Sequence, residues 1–565
     1  MIANQSGSVA VAYLSLLASR GVDVLFGNAG TDFAPLIEAY AEAAHKGIDV
    51  PAPILATHEN LAVTMAHGYG MISRKVPAVM VHVSVGTANM VCAAMNADRE
   101  NVAILLTAGR TPLTEAGRLG ARDGYIHWAQ EMYDQAGMLR EIVKWDYELR
   151  SSDQLETVVD RALSIAASEP RGPVYLSLPR EVLAERAAGP LRPTTRLQPA
   201  TAAAPDAGAI AEAARLLTRA KRPLIVTCNA GREPGGFAAL SAFAERLAIP
   251  VIQHKPRYLS LPSSHPMNLG YEPKRLIGDA DVIVALECDV PWLPMQGVPR
   301  ESCKVIQCGL DPLYTHIPIR GFASDVTVTG GTKLCLDAML AAMADGGMQN
   351  VATRRKWANQ QRKHLLTDYA AAADAAGRRT PMHPAWVSRC IGEAKDARAI
   401  VVNEYTLMLE HCGIEHADCY FGSSAASGLG WGAGAALGAK LAAPERQVIA
   451  VLGDGAYMFS NPAAVHHAAC LHELPVLFIV MNNAMWGAVR HFTRAMYPDG
   501  RAMLRNELPF TRLDKLPAFE DLCKAAGGFG ERVDDPDGLP DALQRALRAV
   551  TIERRQALLN VVCEM

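Results

Sequence analysis

The segment VIAVLGDGAYMFSNPAAVHHAACLHELPVLFIVMNNAMWG carries the residues best suited to chemistry. A β-branched run ends at Gly453, and Asp454 and Gly455 turn the chain. Ser460, Asn461 and Pro462 then open a helix with a polar cap and a proline in the first turn. Pro475 precedes a second apolar run that ends in Asn482 and Asn483. A strand–helix–strand crossover is parallel and right-handed in nearly every case. Asp454 and Asn483 are therefore expected at the carboxyl ends of strands in one sheet, where open α/β sheets bind ligands. One carboxylate, one amide oxygen and a backbone carbonyl near Met485 make a hard oxygen set suited to Mg²⁺, which keeps other positions for phosphate oxygens. Gly455 admits close backbone approach, and the amides of Ala456 and Tyr457 are expected to face phosphate. Taken alone, the same residues also fit an ordinary Asp-Gly turn and a polar strand end.

Such a site needs a parallel sheet to hold it. The 565 residues exceed one hydrophobic core and suit about three domains. Two linker-like stretches, Ala187 to Gly208 and residues 341–382, divide the chain into blocks 1–186, 207–345 and 380–565. Each block alternates short β-branched runs with helical stretches, so the expected fold is α/β with three doubly wound parallel sheets. Examples are VDVLFG, ILAT and AVMVHV in the first block, PLIVTC and DVIVALE in the middle, and AIVVNE and VLFIVM in the last. A formal net charge of −3 offers no general attraction to nucleic acid. No apolar run is long enough to span a bilayer, and the N-terminus reads as an amphipathic helix without a signal-peptide pattern. The 12 cysteines form no CxxC pair, which points to reduced thiols in a cytoplasmic setting.

GDG followed at this interval by NN, on a strand–helix–strand frame, resembles the diphosphate motif of thiamine-diphosphate-dependent enzymes. The resemblance implies thiamine diphosphate and Mg²⁺ as cofactors, with Asp454, Asn483 and the Met485 carbonyl as metal ligands. Gly453, Gly455, Ala456, Tyr457 and Trp486 would lie against the diphosphate, and the three blocks would be pyrimidine-binding, central and diphosphate-binding domains. It also implies a carboxyl group set against the aminopyrimidine ring, buried and able to share a proton. Glu59, in ATHENLAVTMAHGYG, matches that catalytic glutamate segment. SSAASGLGWGAGAALGAK resembles the rest of the ring pocket, with Gly428 beside the pyrimidine and Leu429 beneath the bent cofactor. VVNEYTLM is similar to the segment in which Tyr405 and Thr406 would help hold the diphosphate. The glycines from Gly430 onward also fit a dinucleotide loop. Against this, YFGSSAAS is a poor strand, and Ala450 stands where a ribose-binding acid is expected.

The substrate side most resembles the benzoylformate decarboxylase branch of the 2-oxo acid decarboxylase and acetohydroxyacid synthase superfamily. FGNAGTDF matches its FGNPGS loop with departures at Ala29 and Thr31, and His82 in VHVSVGTANM occupies the position of a catalytic histidine. The middle block has no histidine in LECDVPWLPMQG where that branch carries a second one, which argues against strict benzoylformate decarboxylation. HWAQEMYDQAG, with His127 and Gln130, is similar to a segment of acetohydroxyacid synthases. The implied substrate is a 2-oxo acid or related carbonyl compound, acted on by a decarboxylase, a carboligase or a 2-hydroxyacyl lyase. Since the two halves of the cofactor site come from distant blocks, the resemblance implies a homodimer or homotetramer. A flavin in the middle block is not predicted. A nucleotide-binding oxidoreductase is the competing reading from another class.

Overall fold

The computed structural model describes residues 7–343, 350–377 and 379–564. The β-branched runs form three sheets. The first contains β1 (Val24–Asn28), β2 (Ala52–Leu55), β3 (Ala78–Val81), β4 (Leu105–Arg110), β5 (Asp146–Glu148) and β6 (Val174–Pro179). The second contains β7 (Pro223–Thr227), β8 (Val251–Gln253), β9 (Val282–Leu286), β10 (Lys304–Gly309) and β11 (Val326–Thr329). The third contains β12 (Ile400–Glu404), β13 (Tyr420–Gly422), β14 (Val448–Gly453), β15 (Leu477–Asn482), β16 (Phe529–Val533) and β17 (Ala557–Val562). All their pairings are parallel. The central strands β3 and β15 are buried along their whole length, as expected of sheets covered on both faces.

The first and third sheets share one topology. Their orders, β2-β1-β3-β4-β6-β5 and β13-β12-β14-β15-β17-β16, coincide strand for strand, a likeness the sequence did not reveal. The two domains meet through the helices Glu59–Ser73 and Trp431–Ala442, which share one hydrophobic core. These helices touch backbone to backbone. A Cβ on Gly68 would stand 1.9 Å from the Ala435 carbonyl oxygen, and one on Gly438 would stand 1.9 Å from that of Met65.

A buried charge chain ties all three domains together. Arg257, from the central domain, lies 3.2 Å from Glu100 of the first domain and 3.2 Å from Asp289 of its own. Glu100 also accepts a hydrogen bond from the amide of Ala425, in the third domain. Arg257→Met leaves two buried carboxylates without their cation, and a loss of about 3–5 kcal/mol is expected in denaturant titration. Adding Glu100→Gln to that variant recovers part of the loss, because it removes one orphaned charge.

Four local expectations need correction. Within residues 341–382, Val351–Ala376 forms a helix of 26 residues and not a loose linker, while positions 344–349 and 378 lie outside the described residues. Arg354 anchors it by donating to the carbonyls of Leu217 and Ala220. YFG does form a strand, the short edge strand β13. Asp454 and Gly455 open a short helix, Asp454–Phe459, and do not form a simple turn. Asn461 caps the next helix, Pro462–Leu471, by position only, with no side-chain hydrogen bond. Among the described residues no helix is long and apolar enough to cross a membrane.

Candidate active site

The third sheet brings Asp454 and Asn483 together at the carboxyl ends of the paired strands β14 and β15. Asp454 is buried, and burial pushes its carboxyl pKa up. Its Oδ1 accepts from the Gly455 amide at 2.7 Å, and the amides of Ala484, Met485 and Asn483 lie near the carboxylate. Oδ2 has no hydrogen-bond partner. A buried carboxylate oxygen left unpaired costs about 1–3 kcal/mol, and a cation is the chemistry that relieves it. Asn483 is half-buried, and its Oδ1 accepts from the Met485 amide at 3.0 Å. The donor set therefore fits a hard divalent ion.

The surroundings carry backbone strain of the kind that gathers at functional sites. Tyr405, Thr406 and Ala484 have φ of 73°, 79° and 53°. Tyr405 lies beside Gly453, and the Thr406 hydroxyl donates to the Tyr405 carbonyl. The space at Gly455 is filled by the Trp486 ring, since a Cβ there would fall 2.2 Å from it. Tyr457 points inward, its hydroxyl 2.6 Å from His466 Nε2, so only its backbone faces the site. The Ala456 amide lies in the first turn of this helix, where N–H groups have no intrahelical acceptor, and Tyr457 follows it.

The loop before Trp431 is held from two sides. Asn96 of the first domain both donates to and accepts from the backbone of Gly428, next to the half-buried Leu429. Glu404 accepts from the amides of Gly430, Trp431 and Gly432, and burial pushes its pKa up to about 7. Sequence reasoning missed Glu404, because its partners are backbone groups that leave no pattern.

At the carboxyl edge of the first sheet, Glu59 heads its helix and is 7% exposed. Its Oε2 accepts from Asn89 at 3.0 Å, and among the described residues nothing bonds to Oε1. The same edge holds His82, which follows β3. Its Nδ1 lies 2.6 Å from Asp32 Oδ1 and its Nε2 lies 3.3 Å from Gln130 Nε2. The hydrogen bond to Asp32 raises the His82 pKa, opposed by burial and aided by the charges of Asp32 and Glu59. Ala29 and Thr31 are exposed on the adjoining loop. His127 is buried, accepts from the amides of Asp123 and Gly124, and is kept neutral by burial. Asp32 was missed, although it stands next to Thr31.

Within one chain the two edges do not face each other. His472 Nε2 lies 2.8 Å from the Leu55 carbonyl oxygen, close in sequence to Glu59. His472 ends the helix Pro462–Leu471, which runs back from the Asp454 edge to the amino edge of its sheet. A helix of that length and the strand beside it put roughly 15–20 Å between Glu59 and Asp454. The two candidate groups of residues thus lie on separate edges of the chain. Among the described residues, one other set of close ligand-type groups, Cys228, Cys288 and Asp289, lies in the central domain, where Arg257 already engages Asp289.

Models of the thiamine pyrophosphate enzyme domains match the chain in order: the N-terminal TPP binding domain over residues 8–138, the central domain over 210–339 and the C-terminal TPP binding domain over 401–561. The chain belongs to the thiamine pyrophosphate enzyme family. It is 26% identical to benzoylformate decarboxylase of Pseudomonas aeruginosa, with 94% of this chain and 95% of that protein aligned. It is also 26% identical to an acetolactate synthase large subunit of Mycobacterium tuberculosis, over 94% of this chain and 92% of that one. The fold matches the crystal structure of benzoylformate decarboxylase from Polynucleobacter necessarius with a TM-score of 0.80 at 21% identity, covering 99% of both chains. The family is the one that the GDG–NN motif and the Glu59 segment pointed to, and its members include decarboxylases, synthases and an acetyltransferase.

Proposed function

We propose that this family member cleaves the bond next to the carbonyl of a 2-oxo acid, releasing CO₂, and passes the remaining fragment to a proton or to a second carbonyl compound. The observation that carries this reading is the unpaired, buried Asp454 Oδ2 beside Asn483. Asp454, the Asn483 amide oxygen and the Met485 carbonyl would hold Mg²⁺, and the Ala456 and Tyr457 amides would face the diphosphate. Bound thiamine diphosphate supplies the carbon nucleophile and the electron sink. Glu59 would share a proton through its free Oε1 with the aminopyrimidine ring, and His82 would exchange protons with the substrate through Nε2.

Two copies would make one working site. Glu59 and Asp454 lie on separated edges of one chain, so a second copy must bring them together. Exposed apolar residues flank both half-sites, among them Tyr125 and Tyr133 on one and Phe459, Phe492 and Phe510 on the other. Such patches mark association surfaces. Twelve free cysteines, most of them buried, fit a reducing compartment.

A panel of aliphatic and aromatic 2-oxo acids, supplied to the protein reconstituted with thiamine diphosphate and Mg²⁺, tests the reading. Release of CO₂ with an aldehyde or an acyloin as product is expected for at least one class. If every acid on the panel comes back intact while the cofactor is bound, the proposal fails.

A further inference from the structure

We propose that Asp32, His82 and Gln130 act as one proton-handling unit, in which Asp32 makes Nε2 the sole exchange point of the imidazole and the Gln130 side-chain amide turns to follow the charge of the ring. This rests on reading the edge of the first sheet as the substrate side of the site. Asp32 is a positioning residue here, since it acts through His82.

The geometry around Asp32 is built for that role. The carboxylate is 2% exposed, and both of its oxygens are engaged: Oδ1 with His82 Nδ1 at 2.6 Å and Oδ2 with the Val83 amide at 3.3 Å. An ionised carboxylate only accepts, so Nδ1 must carry hydrogen and the other ring nitrogen is left for exchange. Backbone has been cleared for both partners. A Cβ on Gly109 would stand 1.8 Å from Asp32 Oδ2, and one on Gly30 would stand 2.1 Å from His82 Nδ1. Val83 is held at φ 28°, a conformation that a β-branched residue resists, and its amide bond to Asp32 helps fix it. The carboxylate therefore sets the ring and the bend that carries it.

Gln130 completes the unit from the other side. Its backbone is pinned, with the amide donating to the Ile126 carbonyl and the carbonyl accepting from the Ser84 hydroxyl. Its side-chain Nε2 lies 3.3 Å from His82 Nε2, while its Oε1 is buried without a partner. A neutral ring offers a lone pair at Nε2 and accepts from this amide. A charged ring offers N–H there, and two donors would face each other. A half-turn of the amide puts the idle Oε1 opposite the ring and breaks no bond at that oxygen. The charged and titratable neighbours are few. Asp32 comes from the loop after β1, Glu59 from the head of its helix, and His127 from the short helix Ile126–Ala129, kept neutral by burial. Arg180, which donates to the Thr31 carbonyl, is paired with Asp123.

Ring-nitrogen NMR of the apo protein labelled with ¹⁵N-histidine tests the unit without turnover. In the wild type, His82 is expected to keep hydrogen on Nδ1 across the titration, with Nε2 alone responding to pH. In a second sample labelled with ¹⁵N-glutamine, the Gln130 side-chain NH₂ signals should shift with the same midpoint. Asp32→Asn keeps an oxygen acceptor but drops the charge, so the midpoint should fall by about one unit or more. In the reconstituted enzyme, the limb of the kcat/KM profile that requires charged His82 should move to lower pH by the same amount. A wild-type ring with hydrogen on Nε2 in its neutral form, or a midpoint unmoved in Asp32→Asn, overturns the role of Asp32. Gln130 signals indifferent to the His82 midpoint overturn the turning amide. Full activity in His82→Gln would instead defeat the catalytic reading of this edge, and the ring titration would still report on Asp32.

Discussion

Glu59→Gln in the reconstituted enzyme is expected to lower kcat by about 10²- to 10⁴-fold and to leave cofactor affinity nearly unchanged. The substitution keeps the shape of the side chain and an oxygen that can accept from Asn89, the one hydrogen bond that Glu59 Oε2 makes. What disappears is a group able to hold and release a proton at Oε1. The loss should therefore fall on turnover and not on binding. Steady-state kinetics with calorimetry of thiamine diphosphate separates the two. A variant that turns over within about threefold of wild type would remove Glu59 from the chemistry.

Asp454→Ala should weaken Mg²⁺-dependent retention of thiamine diphosphate by at least about 100-fold. The companion variant Asp454→Asn distinguishes ligand loss from misfolding. Without metal, the wild-type protein buries a carboxylate whose Oδ2 is unpaired and whose pKa burial has raised. A group with a folded pKa above its unfolded one opposes folding once pH exceeds both values. Asp454→Asn should therefore leave the apo protein as stable at neutral pH, or more so, while the stabilisation gained from cofactor and Mg²⁺ shrinks. Thermal scans with and without the ligands read both effects. Equal stabilisation of variant and wild type by the ligands would rule out Asp454 as the metal ligand.

The placement of most of the candidate diphosphate residues was legible because they belong to one strand–helix–strand unit. Local rules alone place Asp454 and Asn483 on one edge. Glu59 was legible as the head of a helix following a strand, and His82 as a residue at a strand end. Asp32 was not, because its partner is reached through the pairing of β1 with β3, where Asn28 lies opposite Val81. No spacing along the chain encodes that register. The helix Val351–Ala376 was hidden for a different reason. It carries few buried residues and is docked by the guanidinium of Arg354 on backbone carbonyls, so no apolar stripe announces it. The three-residue strand β13 is too short for alternation to register.

The contact between His472 and the Leu55 carbonyl has a genetic corollary. In the proposed paired arrangement, the acid of each molecule would serve the cation grip of its neighbour, so a defect in one copy would silence chemistry housed partly in the other. Two crippled alleles, one lacking the acid and one lacking the grip, would be mute apart. Expressed in the same cell, they would assemble an intact centre from their sound halves, whereas doubling either allele alone would restore nothing.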